Sequence, residues 1–215
     1  NEGPESVHEQ WRRLQGTLER LRPPEGVVVH VLNSSAALRL PEYAVAVVRP
    51  GIFLYGGEIG TGLVVPEPVV ALRARVVHIK EAAPGDSVGY GATYHAQGAE
   101  RWATLSIGYG DGLSRALGNR GHVLLRGVRA PIIGRISMDV TVVNITGVPD
   151  VGRGDIATLI GTDGDARITL DEVAGLAGTI SYEVLTGLTP RIPRIWKGLD
   201  GSRPRSEEHT SELQS

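Results

Sequence analysis

The first third of the chain alternates helical and strand-like hydrophobic patterns. Apolar residues recur at helical spacing from Val7 to Leu21, which predicts an amphipathic helix that Pro23 and Pro24 end. Two apolar runs and two short helical segments follow in alternation: residues 27–32, 36–40, 44–48 and 52–56. The run 27–32 is almost wholly apolar, as in a strand covered on both faces of a parallel sheet. This rhythm predicts a parallel α/β fold, of which two strands are only a part.

From Pro66 onwards the hydrophobic period changes to two and no long helix is expected. The alternation predicts six strands: 69–79, 101–107, 122–125, 131–136, 141–145 and 155–160. A capping box at Thr169–Glu172 predicts the single helix of this region, residues 171–176. Residues 182–196 are predicted to form a last strand, kept to a sheet edge by two prolines. The pattern is typical of a small, mostly antiparallel β domain, either closed or sandwich-like.

Composition narrows the functional classes. The 215 residues are 41% hydrophobic and 21% charged, an ordinary globular balance. The formal net charge of −2 predicts no surface for nucleic acid or anionic membranes. The chain has no cysteine, which excludes disulfides and thiolate metal sites. No apolar run approaches the ~18 residues of a membrane span, so we expect a cytoplasmic protein without a membrane partner.

The two ends of the chain need separate treatment. The sequence opens on Asn1 instead of Met, in helix-leading sequence, so we expect it to be cut from something longer. Residues 199–215 have no apolar pattern and are predicted to be a disordered tail. Within it, residues 205–215 resemble the translation of a common sequencing adapter, and we leave them out of the fold and of any site.

An anion site is the first chemistry that the residues suggest. Ser34 follows the first apolar run, and Gly51 and Ile52 follow the second at a predicted helix start. Free backbone N–H groups there favour a phosphate, and in (β/α)8 barrels the loops after the last strands commonly hold one. In the alternative interpretation, Ser34 only caps a helix and Gly51 only turns the chain. The residues alone leave both open.

Two tyrosines beside glycine suggest further chemistry. Tyr90 and Tyr109 each stand between glycines, where the backbone can turn tightly and approach a ligand. A role in filling the core explains this placement poorly. A tyrosine hydroxyl has a pKa of about 10, so it accepts a proton only where nearby cations or donors lower that value.

Six linked motifs together resemble one family. They are His30–Ala36, Arg49–Gly56, Gly89–Tyr94, Ile107–Gly112, Gly134–Asp139 and Ser181–Glu183. In their order and spacing they resemble alanine racemase, from the first helix to Trp196. The resemblance implies an isomerase dependent on pyridoxal phosphate, with an eight-stranded α/β barrel followed by a β domain. Its active site would form at a homodimer interface and interconvert L- and D-alanine, supplying D-alanine for peptidoglycan.

The resemblance also implies domain bounds and a cofactor site. Residues 1–62 would be the last βα units of the (β/α)8 barrel, and residues 63–198 the β domain. Ser34, Gly51, Ile52 and the Tyr182 hydroxyl would bind the cofactor phosphate. The alternative for Tyr182 is simple packing in an apolar strand.

Arg49 would face the pyridine nitrogen of the cofactor in this family. Because a guanidinium keeps its proton, Arg49 would leave that nitrogen unprotonated and weaken the ring as an electron sink. His30 resembles the residue that holds this arginine. Without the resemblance, a histidine in an apolar strand is more often a satisfied core group.

Tyr90 matches the acid/base that acts on one face of the α-carbon, in the L-alanine direction. Racemisation needs a second base on the opposite face, which in the family is the cofactor lysine. Tyr109 and Met138 resemble residues near the substrate and its entrance, and Arg115 and Asp139 match nearby positions more weakly. Met138 and Asp139 could also be an ordinary strand side chain and turn carboxylate.

The lysines depart from the family pattern. Lys80 and Lys197 are the only two in the sequence, and neither lies where a barrel begins. We therefore expect the cofactor lysine upstream of Asn1, and an isolated chain that folds poorly, binds pyridoxal phosphate poorly and is inactive.

Three interpretations remain open on the sequence. The first is a C-terminal fragment of alanine racemase. The second is another pyridoxal-phosphate enzyme of the same fold, a broader racemase or a decarboxylase. Arg49 and the absence of cysteine disfavour the decarboxylase, which tends to use a carboxylate and a partner cysteine. The third is a non-enzymatic β domain that binds a partner.

Overall fold

A computed structural model of the protein describes residues 4–60 and 62–197, so the predicted tail at 199–215 lies outside the described residues. The predicted first helix is confirmed as α1, Pro4–Leu21. Its Trp11 stacks on Tyr43 with ring centroids 4.8 Å apart. The Tyr43 hydroxyl also lies 2.6 Å from Nδ1 of His8. These contacts fix α1 against the segment between the first two strands.

Two short parallel strands follow α1. Strand β1 is His30–Asn33 and strand β2 is Val47–Arg49, with His30 opposite Val47. Helix α2, Ser34–Arg39, connects them together with a turn of 3-10 helix at Pro41–Tyr43. The parallel βα order that the sequence predicted is therefore present.

The predicted coverage of the first strand is wrong. Val27 and Val28 lie outside β1 and are 53% and 61% exposed. Within the described part of the chain, β1 pairs only with β2, so this sheet has too few neighbours to bury the apolar run. Exposure of an apolar strand is the physical result of a sheet with two strands.

The remaining strands build one antiparallel sheet and a separate hairpin. They are β3 Leu72–Ala82, β4 Ser87–Val88, β5 Tyr94–His95, β6 Glu100–Leu105, β7 His122–Leu125, β8 Val128–Ile133, β9 Thr141–Asn144, β10 Ile156–Asp163 and β11 Ala166–Ile168. The sheet order is β11-β10-β3-β6-β9-β8-β7, and β4 pairs with β5. Thr158 of β10 also pairs with Leu124 of β7, which closes six strands into a barrel. The predicted mostly antiparallel β domain is confirmed, in its closed form.

The barrel encloses the main hydrophobic core. Period-two alternation sends every second side chain inwards, so residues such as Leu105, Val123 and Val143 are fully buried. Ile52, from the N-terminal region, joins the same cluster of buried residues. The core therefore ties the βα segment to the barrel.

Two helices follow the barrel, where the sequence predicted one. Helix α3 is Leu170–Ala177, and its N-cap Thr169 accepts a hydrogen bond from the N–H of Glu172, as the capping motif predicted. Helix α4 is Ser181–Gly187, so the predicted strand at 182–196 is wrong. Val184 and Leu185 pack against the main core, and this packing overrides the strand propensity of the segment.

A carboxylate joins α3 to both neighbouring segments. Oδ2 of Asp171 accepts a hydrogen bond of 2.9 Å from the N–H of Glu58, and its Oδ1 accepts one from the Ser181 hydroxyl. This contact places the start of α4 beside the end of the βα segment. Across residues 4–60 and 62–197, the structure contains no helix with the length and apolarity that a membrane crossing requires.

Candidate active site

The carboxyl ends of β1 and β2 bring Ser34 and Gly51 together. The N–H of Gly51 donates to Oγ of Ser34 over 2.7 Å, and Ser34 is buried. The cap of α2 is Asn33, whose Oδ1 accepts from the N–H of Ala36 at 3.0 Å. Ser34 is thus free of the capping role, and its hydroxyl keeps a proton that it can donate. Ile52 follows with its side chain in the core, which leaves its backbone as the polar group at this position.

Arg49 and His30 form a pair across these strands. One terminal nitrogen of Arg49 lies 2.9 Å from Nδ1 of His30 and donates to the His30 carbonyl over 3.0 Å. A guanidinium can only donate, so Nδ1 is the acceptor and the proton of a neutral ring lies on Nε2. His30 is exposed, which does not fit a satisfied core histidine. Its contact fixes the direction of Arg49.

Tyr182 shares a cavity with Arg49. It is the second residue of α4 and its side chain is 48% exposed, unlike a residue packed in an apolar strand. Both residues line an open cavity of about 1390 Å³, to which Asn33 and Ser35 also contribute. An arginine, a phenol and the polar ends of two parallel strands therefore surround one space.

Tyr90 stands apart from this cavity. It lies in the turn between β4 and β5, and its side chain is 73% exposed. Within the described ranges it makes no hydrogen bond, and it is not among the residues that line the cavity of Arg49. The hairpin presents Tyr90 to the exterior of this chain.

Tyr109 and Met138 lie on adjoining loops. The N–H of Tyr109 donates to the Ser137 carbonyl at 2.9 Å, and the N–H of Gly110 donates to the Met138 carbonyl at 2.8 Å. A methyl group on Gly108 would overlap both carbonyls, so only glycine permits this approach. The Arg115 guanidinium lies 5.7 Å from the ring centre of Tyr109. The structure therefore brings three predicted positions together, Tyr109, Met138 and Arg115, and Asp139 follows Met138 in the chain.

Sequence reasoning missed the arginine that joins these loops. Arg191 binds Oδ1 of Asp111 at 3.2 Å through Nε, and it also contacts Asp139. Asp111 in turn accepts from the N–H of Gly108 at 2.9 Å. The bond to Asp139 raises the pKa of Arg191 above its ordinary value. Asp139 thus faces the site as half of an ion pair, and no local motif around Arg191 signals this.

Neither of the two described lysines lies at the cavity of Arg49, where a cofactor lysine would be needed. Lys80 pairs with Asp86 at 2.9 Å and lies 5.3 Å from the ring centre of Trp102, on the barrel. Neither it nor Lys197 is among the described residues that line the cavity of Arg49.

Comparison with known proteins identifies relatives over almost the whole chain. The family model for the alanine racemase C-terminal domain matches residues 69–196, and that for the alanine racemase N-terminal domain matches residues 1–59. Alanine racemase from Sorangium cellulosum is 42% identical in an alignment of 193 positions that covers 86% of this chain and 51% of the relative. The chain thus spans about half the length of the curated relatives it matches.

Solved structures agree with this match. Alanine racemase from E. faecalis is 33% identical, with a TM-score of 0.80 over 89% of this chain and 52% of that one. The enzyme from Bartonella henselae, with covalently bound pyridoxal phosphate, is 34% identical, with a TM-score of 0.78 over 88% of this chain and 52% of that one. The sequence motifs, the domain models and the fold agree, and the chain belongs to the alanine racemase family.

Proposed function

We propose that this chain is the C-terminal half of a pyridoxal-phosphate-dependent alanine racemase. In this proposal residues 1–62 are the last βα units of a (β/α)8 barrel and residues 63–198 are the β domain. The observation that carries it is Arg49, which is held by His30 and shares a cavity with Tyr182 at the carboxyl end of β2. The match to both domain models of the family supports it.

The donors around these strands fit pyridoxal phosphate. The Ser34 hydroxyl, the backbone N–H of Ile52 and the Tyr182 phenol are groups that bind phosphate oxygens. The N–H of Gly51 would join them by exchanging its bond to Ser34 for one to the phosphate. When bound, the cofactor withdraws electrons and makes the α-proton of an amino acid acidic. Arg49 would donate a hydrogen bond to the pyridine nitrogen without giving it a proton, and His30 keeps the guanidinium in place.

Tyr90 carries the proton on one face of the substrate in this proposal. Its exposure and its place outside the lining of the Arg49 cavity support presentation to a second subunit, so the active site forms in a homodimer. Tyr109, Met138 and Asp139 bound the substrate and its entrance. The loops that hold them are braced by Arg191, which also offsets the negative charge of Asp139 near a substrate carboxylate.

The opposing base is a lysine outside these 215 residues. Lys80 forms an ion pair with Asp86 and contacts the ring of Trp102, and it lies on the barrel. The isolated chain is therefore inactive, and the complete protein works by two bases. We place the complete enzyme in the cytoplasm, where it supplies D-alanine for peptidoglycan, as membership of the family suggests.

The test is racemisation of L- and D-alanine by the full-length protein that contains this chain. The change Tyr90→Phe removes the proton carrier, so kcat should fall about 10²–10⁴-fold. The control is Tyr55→Phe, which should keep full activity, because the exposed Tyr55 phenol makes no hydrogen bond among the described residues and does not line the cavity of Arg49. A full-length protein that leaves alanine unchanged, or a Tyr90→Phe protein as active as its parent, would contradict the proposal.

The same preparation tests the alternatives. A broader racemase would turn over larger amino acids as fast as alanine. A β domain that only binds a partner would give no cofactor absorbance in the full-length protein. Arg49 at the cofactor site disfavours a decarboxylase, because those enzymes tend to set a carboxylate there.

A further inference from the structure

A buried carboxylate lies at the start of β6, outside the residues proposed for the cofactor and the substrate. Glu100 is only 9% exposed. Its two oxygens accept hydrogen bonds from Nε1 of Trp102 at 2.6 Å, the N–H of Gln97 at 2.9 Å, the hydroxyl of Tyr94 at 3.0 Å and Nδ2 of Asn144 at 3.0 Å. Such a set satisfies a charged carboxylate and costs free energy if any donor is lost.

The charge states of this network are defined by its contacts. Burial by itself would raise the pKa of Glu100, but the bonds from Trp102, Gln97 and Tyr94 hold that pKa below its ordinary value. Burial, with a further contribution from the Glu100 carboxylate, raises the pKa of the Tyr94 phenol. Glu100 is therefore an anion at neutral pH, and Tyr94 remains a donor to it.

The network joins the hairpin of Tyr90 to the barrel. Tyr94 lies on β5 and is paired with Val88 of β4, and the turn between them carries Tyr90. Trp102 and Asn144 belong to the barrel strands β6 and β9. A small core separate from the barrel interior lies beneath the hairpin and contains Ala82, Ala96, Trp102 and Ile133, with Val88, Tyr94 and Val142 packed against it. The Glu100 carboxylate lies at the edge of this core and accepts hydrogen bonds from both the hairpin and the barrel.

The tip of the hairpin rests on the barrel as well. Gly89 has φ +74°, and a methyl group there would lie 3.2 Å from the backbone N and O of Arg135. Asn119 donates to the Thr93 hydroxyl at 3.1 Å and accepts from the N–H of Gly134 at 2.6 Å. Tyr90 has no hydrogen bond of its own in the described residues, so the hairpin backbone sets where its hydroxyl points.

We propose that Glu100 is a positioning residue for the proton transfer that Tyr90 performs. Its carboxylate fixes the base of the hairpin, and the hairpin fixes the Tyr90 hydroxyl against the substrate α-carbon. The inference rests on the proposed role of Tyr90. Glu100 itself touches neither substrate nor cofactor.

The test uses Glu100→Gln in the full-length protein. A glutamine has one acceptor oxygen, so in either orientation its NH₂ group faces donors that the carboxylate satisfied. The matched control is Glu81→Gln, whose exposed carboxylate pairs with Nε of Arg101 at 3.3 Å on the neighbouring strand. Both proteins are assayed with L- and D-alanine, each with hydrogen or deuterium at the α-carbon, and their thermal midpoints are measured.

We expect kcat of Glu100→Gln to fall about 10- to 100-fold, as for a small misplacement of a catalytic group. The deuterium isotope effect should grow with L-alanine, whose proton goes to Tyr90, and stay level or fall with D-alanine. The Glu81→Gln protein should match its parent in both directions. If Glu100→Gln only lowered the fraction of folded enzyme, kcat would fall while both isotope effects stayed unchanged. That result would overturn the inference.

Two further variants keep the inference testable. If Glu100→Gln does not fold, Tyr94→Phe removes one donor and leaves the carboxylate, and it should shift the L-alanine isotope effect in the same direction. Unchanged isotope effects in Tyr94→Phe would also overturn the inference. If Tyr90→Phe stayed active, the proposed function would be refuted. If Tyr90→Phe were inactive and Glu100→Gln were unaffected, only the role of Glu100 would be refuted.

Discussion

Gly112→Ala perturbs the contact between the Tyr109 loop and the segment after α4. Gly112 has φ +101°, and an added methyl group would lie 2.7 Å from the carbonyl carbon of Gly187 and 2.8 Å from Cα of Leu188. Carbon atoms pack at about 3.5–4.0 Å, so the segment 187–188 must move by roughly 1 Å. The left-handed backbone conformation adds about 1–2 kcal/mol for a residue with a side chain.

That movement also strains two hydrogen bonds of Thr189. Its N–H donates to the Asp111 carbonyl at 3.1 Å, and its hydroxyl donates to the Gly110 carbonyl at 3.1 Å. Each contributes about 0.5–1.5 kcal/mol, so the free energy of unfolding should fall by about 2–5 kcal/mol in all. The relatives are about twice as long as this chain. In a full-length protein of that size, about 1–2 °C per kcal/mol corresponds to a thermal midpoint roughly 2–10 °C lower.

The assay is thermal and urea unfolding of the full-length protein, with Gly147→Ala as the matched control. Gly147 is exposed, and a methyl group there would meet nothing within 4 Å. The control should stay within about 0.5 kcal/mol of its parent. If Gly112→Ala were as stable as Gly147→Ala, the close approach of the two segments would be refuted.

Two further predictions concern the cofactor site and the barrel. His30→Ala removes the Nδ1 acceptor of Arg49 and leaves only the backbone carbonyl at that position. The full-length protein should therefore bind pyridoxal phosphate about tenfold more weakly, equivalent to about 1.4 kcal/mol. Titration followed by visible absorbance measures this, and the exposed His78→Ala should bind like its parent. A hydrogen bond from Arg129 lowers the pKa of Glu172 below its ordinary value of 4.5, so its stabilisation is complete above that pH and is lost as pH falls through the lowered value. The thermal midpoint of Glu172→Gln should therefore lie below the parent at about pH 7 and converge with it as the pH falls through that lowered pKa, and a constant gap would contradict this.

Local signals were sufficient for the elements that local interactions determine. The period of α1 and the caps at Asn33 and Thr169 act within a few residues, and these helices lie where they were predicted. Helix α4 has no side-chain cap, because Ile180 occupies its N-cap position. Its formation depends on packing against the barrel core, which no local pattern reveals.

The candidate site likewise contains contacts that the sequence indicates and contacts that only the fold creates. Arg49 and His30 lie on adjacent parallel strands, so the strand order indicates that they are neighbours. The register pairs His30 with Val47, and the long Arg49 side chain reaches back along the strands to contact it. Barrel closure depends on Thr158 meeting Leu124, which are distant in sequence. Arg191 likewise acts through loops that only the folded chain brings near. Three of the four donors to Glu100 lie within six positions of it, but the fourth, Asn144, is 44 positions away on another strand.

The contacts from Thr189 and Arg191 that hold the Tyr109 loop determine when this loop can fold during translation. The partners Gly110 and Thr189 are 79 positions apart, and Arg191 is made later still. Folding that begins before synthesis ends can pair the barrel strands first, while the loop waits for residues not yet added. A nonsense codon at position 189 would therefore give a protein that contains strands β3 to β11 but lacks Thr189 and Arg191, which hold the Tyr109 loop. We expect such a product to escape removal as a misfolded chain more readily than one interrupted inside the barrel, and still to be catalytically defective.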